Sequence, residues 1–83
     1  MITLKYPIKV DGKEVKEIDF RRPKVKDMKK SSKMTKDESE AELLLFADLA
    51  NLPVEAIEEL DLWDYKVLQE EFKSFLPKTK SGN

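Results

Sequence analysis

Residues 2–10 alternate between apolar and polar side chains: Ile2, Leu4, Tyr6, Ile8 and Val10 against Thr3, Lys5 and Lys9. A period of two is the signature of a strand with one buried face. Pro7 has no N–H to give to a ladder. It therefore places the strand at an edge, or points its nitrogen away from the partner. Asp11-Gly12 follows, a dipeptide suited to a tight hairpin turn, and a second strand is predicted over about residues 14–21.

Side-chain parity bears on the turn. A two-residue loop pairs Ile8 with Val15 and puts Ile18 and Phe20 on the face opposite Leu4, Tyr6 and Ile8. A three-residue loop with Gly12 left-handed puts them on a common face. Burial of one common face favours the odd loop. It leaves Val15 on the outer face and Tyr6 in the core.

Beyond the hairpin the period changes. Pro23 suits the first turn of a short helix over 23–30, whose apolar content is only Val25 and Met28. Residues 29–36, Lys-Lys-Ser-Ser-Lys-Met-Thr-Lys, show no periodicity and read as a mobile basic linker. Thr35 and Glu38 have capping-box spacing ahead of an apolar run, which predicts a helix from there to about Ala50. Asn51-Leu52-Pro53 breaks it, and Pro53 opens a short helix over 53–59. Asp61 is the expected cap of a last helix over about 62–76, where Tyr65, Leu68, Phe72, Phe75 and Leu76 form a stripe at helical spacing. Pro77 stops it.

The expected fold class is α+β: an N-terminal antiparallel β-hairpin, a basic linker, then two to three α-helices. One small domain spans 1–76, divided into a hairpin at 2–21, a short helix and basic linker at 23–36, and a helical part at 37–76; residues 77–83 read as a disordered tail. A lone hairpin is unstable in water, so it must pack on the helices.

Composition removes whole classes of chemistry. The chain has no cysteine and no histidine, hence no disulfide framework, no thiolate metal site and no imidazole base. No catalytic residue, cofactor or metal ligand is expected, and the reading is non-enzymatic. No apolar run approaches the ~20 residues of a membrane span, and no secretion signal is visible. The expected compartment is the cytoplasm. Net charge is only -1, yet residues 1–36 hold twelve Lys/Arg against five Asp/Glu, while residues 37–76 hold twelve Asp/Glu against Lys66 and Lys73. A basic half is joined to an acidic half.

Several groups have both a structural and a functional reading. Glu55, Glu58, Glu59, Asp61 and Asp64 offer carboxylates for acid–base work or a cation. Acids also favour helix starts and a solvated face, and that reading is preferred. Arg21, Arg22, Lys24, Lys26, Lys29 and Lys30, continuing to Lys33 and Lys36, are suited to phosphate contact or to steering an acidic partner. Leu43, Leu44, Leu45 and Phe46 spread apolar side chains around their helix. They are either core on both sides or partly open to a partner. Leu44, Leu45, Phe46 and Trp63 are the candidate partner-binding residues. For Trp63, which lies off the last helix's stripe, packing against residues 51–60 is the preferred reading and an interface role the other.

Two stretches carry a resemblance. The first is Leu4-x-x-Pro7-Ile8-x-x-Asp11-Gly12-x-x-Val15, leading to Arg21-Arg22-Pro23. The second is Leu49-x-x-Leu52-Pro53-x-x-x-Ile57-x-x-Leu60-x-x-x-Asp64-Tyr65. In order and spacing they resemble the small tail assembly chaperones of Mu-like, contractile-tailed phages and prophages. The resemblance implies a non-catalytic protein of the bacterial host cytoplasm that keeps the long tape-measure protein soluble while tail-tube subunits assemble. The implied partner is the tape-measure protein, with tail-tube or other tail proteins as further partners. No binding residue carries over from it. The alternative function is a small nucleic-acid-binding regulator using residues 21–36.

Overall fold

The alternating segment forms β1 (Ile2–Val10), which pairs antiparallel with β2 (Lys13–Ile18). The structure is a computed structural model and describes residues 1–77. The tail expected from Lys78 onward lies outside them. The turn has two residues rather than three: Val10 pairs with Lys13, and Asp11 and Gly12 have φ of 53° and 81°. Two left-handed central residues give a turn whose twist matches the strands it joins.

The odd count arises elsewhere. Between the pairs Ile8–Val15 and Thr3–Glu17, residues 4–7 of β1 stand opposite Lys16 alone. This bulge carries Ile18 onto the face of its partner Ile2, and both are buried. The expected odd loop is thus corrected to a two-residue turn plus a bulge. Val15 moves with it: it faces Ile8 and packs half-buried against the core, not outward. Tyr6, expected in the core, is 47% exposed. Pro7 lies in the bulge, where its missing N–H costs no ladder bond.

Among the described residues four helices follow: α1 (Val25–Met34), α2 (Glu38–Ala50), α3 (Val54–Glu58) and α4 (Leu62–Ser74). The class is α+β. The expected boundary near residue 30 is corrected: residues 29–34 continue α1 and are not linker. Lysine is a good helix former, and Asp27 accepts the Lys24 backbone N–H at 2.8 Å in the first turn. Asp37, rather than Thr35, caps α2 by accepting the N–H groups of Ser39 and Glu40. Asn51, left-handed at φ 57°, ends α2. Asp61 caps α4 by accepting the Trp63 N–H at 2.9 Å.

Phe46 of α2 is the centre of the core and is fully buried. Its ring lies 5.3 Å from Phe20, 5.6 Å from Tyr65 and 5.5 Å from Phe72, centroid to centroid. Ile2, Leu4 and Ile18 close the hairpin side; Leu49, Ile57 and Leu68 close the helical side. The Arg21 N–H donates to the Leu49 carbonyl at 3.1 Å and ties the end of the hairpin to α2.

Candidate functional site

α1 is built inside out. Its buried residues are polar, Asp27 and Ser31, while Val25 and Met28 are 77% and 60% exposed. A helix of a small domain normally turns its apolar stripe to the core. Here the polar face is held by partners that satisfy it. Asp27 receives both terminal nitrogens of Arg21, at 2.8 and 2.7 Å, a fork-to-carboxylate pair. Those hydrogen bonds, above all, hold the Asp27 carboxyl well below the usual carboxylate range. The same pair raises Arg21. Ser31 Oγ donates to the Met28 carbonyl, and Lys30 reaches Asp48 of α2 at 3.3 Å.

The outward face of α1 forms one wall of a groove. It is lined by Pro23, Lys24, Val25 and Met28 at and before the start of α1, Leu45 of α2, and Phe72 and Leu76 at the end of α4. Its volume is about 230 Å³. An apolar cavity of ~150 Å³ holds a benzene ring, so this one has room for a large apolar side chain.

The candidate partner-binding residues are dispersed. Leu45 lines the groove. Leu44 is half-buried and outside the core cluster. Phe46 is corrected: it is interior and presents no surface. Trp63 is 57% exposed, so more than half of its surface is open to solvent. Its ring lies 4.1 Å from the Lys5 ammonium, a cation–π contact, and it shares a shallow apolar face with Val67. Sequence reasoning does not single out Val25, Met28, Phe72 or Leu76 as surface. The available signal was Val25 and Met28 alone among Lys, Ser and Asp.

The basic run is partly spent within the fold. Arg21 serves Asp27, Lys30 serves Asp48, and the Arg22 guanidinium lies over the Phe75 ring at 5.3 Å. Lys24, Lys26 and Lys29 remain exposed on α1 or at its start.

The acidic run does not converge. Glu55, Glu58 and Glu59 are exposed, Asp61 is a cap, and Asp64 is buried, accepting the N–H groups of Lys5 and Tyr6 at 2.9 Å each. Among the described residues no group of three or more acidic side chains is placed to hold a metal. Tyr65 donates its hydroxyl to Glu42, which also accepts from Gln69. Burial, reinforced by Glu42, pushes the Tyr65 hydroxyl pKa upward.

A family model described as "Phage tail assembly chaperone proteins, E, or 41 or 14" matches residues 1–77, the whole of the hairpin and all four helices. The chain belongs to the phage tail assembly chaperone family. No curated protein and no solved structure gave a significant match. Membership in a chaperone family supports a binding role rather than a catalytic one, with tail proteins as the class of partner. Among the described residues no helix is long and apolar enough to cross a membrane.

Proposed function

We propose that this chaperone acts in the cytoplasm of the bacterial host cell by holding an apolar helical segment of the tape-measure protein during tail assembly. The groove between α1 and the end of α4 is the docking surface. The observation that carries this reading is the inverted polarity of α1, which buries Asp27 and Ser31 and leaves Val25 and Met28 to solvent. Exposing these side chains is unfavourable by ~25 cal/mol per Å² of apolar surface, and a partner that covers them recovers that energy. Val25, Met28, Leu45, Phe72 and Leu76 make the contact, and helix-in-groove is its mode. The role needs no cofactor and no catalytic group.

Co-expression with the tape-measure protein of the same gene cluster tests the reading. The wild-type chain is expected to raise the soluble fraction of that protein and to co-purify with it. Met28→Glu, on an exposed position, is expected to fold and to lose both effects. Retention of both effects by Met28→Glu contradicts it.

A further inference from the structure

Resting on the docking reading above and deepening it, we infer that the segment taken up by the groove is an acidic amphipathic helix, with carboxylates flanking its apolar anchors. The charge around the groove carries this. Between Arg21 and Lys36 the sequence has eight Lys/Arg and a single acid, Asp27. That acid is 4% exposed and neutralised by Arg21, so it does not offset the cations outside. Lys30 is answered by Asp48. Among the described residues, Lys24, Lys26, Lys29 and Lys33 have no carboxylate within 4.0 Å.

Two of these cations, Lys24 and Lys29, stand at the apolar surface itself. Lys24 lines the groove. Lys29 stands four residues after Val25 on the same helix, hence on the neighbouring turn of the same face. Arg22 donates to the Phe75 carbonyl at 3.4 Å, which fixes its guanidinium beside Leu76 in the chain, where α4 ends. An apolar floor with a cationic rim attracts a ligand with the reverse pattern, apolar centre and anionic flanks, and repels a basic one. A second copy of this chain is a poor fit. Its α3 already buries Ala56 and Ile57, and the exposed apolar face of its α4, Trp63 and Val67, carries Lys66 and lies against Lys5, cations that the rim repels.

Two synthetic peptides separate the possibilities. Both have about 18 residues, enough to form a helix, and share one apolar stripe. One carries Glu on its flanks, the other Lys. Each is titrated against the intact chain. The Glu peptide is expected to bind at least about tenfold more tightly, with the gap closing at 1 M salt, where screening acts over ~3 Å. The double variant Lys24→Glu, Lys29→Glu is expected to reverse the order. Equal binding of both peptides, lost in Met28→Glu, overturns the charge inference and leaves the docking reading standing. Failure of the Glu peptide to bind also overturns the inference; if neither peptide binds, the docking reading survives only if the tape-measure protein is still retained in a Met28-dependent manner. Self-association in sedimentation that disappears in Met28→Glu assigns the groove to a second copy and overturns the inference.

Discussion

Asp64 of α4 accepts the consecutive backbone N–H groups of Lys5 and Tyr6, at 2.9 Å each, with its side chain fully inside the protein. The bulge in β1 turns two successive N–H groups the same way, and one carboxylate satisfies both. This bond pair joins residues 59 and 58 positions apart and docks the hairpin on the last helix. Asp64→Ala leaves two backbone donors without their acceptor, and a loss of about 3 kcal/mol is expected. Urea denaturation checks it; a midpoint equal to wild type contradicts the assignment.

Asp27 gives the fold a defined response to acid. Its carboxyl is held below its ordinary range by Arg21, so the folded form binds its proton less readily than the unfolded chain. The contribution is complete above the unfolded value of ~3.9 and is lost as pH falls below it toward the folded value. Asp27→Asn is therefore expected to be less stable than wild type at pH 7, with the difference shrinking below about pH 4. Unfolding midpoints for both chains across that range decide it, and a pH-independent difference would count against the pair.

Phe46 contacts the rings of Phe20, Tyr65 and Phe72 from a fully buried position. Phe46→Ala is expected to cost about 4 kcal/mol, a large share of the stability of so small a domain. Thermal unfolding followed by circular dichroism tests this. A small loss would mean that the residue is not the centre of the core.

Gly12 sits at φ 81° with open space where a Cβ would point. Gly12→Ala therefore costs backbone strain alone, about 1 kcal/mol, with no clash to add. A loss several times larger would show that the turn makes contacts beyond its own backbone.

The hairpin, the helix breaks at Asn51-Leu52-Pro53 and the Asp61 cap were legible because each rests on local chemistry within a few residues. The register was not. Parity counting requires an odd insertion, but the bulge that supplies it has two backbone N–H groups satisfied by Asp64, some sixty residues away in the chain. α1 extends past its expected end for a related reason: periodicity looks for a buried apolar stripe, and this helix buries Asp27 and Ser31 instead. Of the proposed partner surface, Leu45 was within reach of sequence reasoning and Phe46 was misassigned. Four adjacent apolar residues on one helix cannot be sorted into inside and outside without knowing what packs on each side. Trp63 is exposed, yet it stands with Val67 on a face apart from the groove.

The proposed function places the docking surface on α1 and the end of α4. Hydrogen–deuterium exchange of the chain, alone and bound to the tape-measure protein, tests it most directly. Added protection is expected over residues 24–29 and 72–76. Protection confined to the Leu62–Val67 face, with exchange in α1 unchanged, would contradict the account.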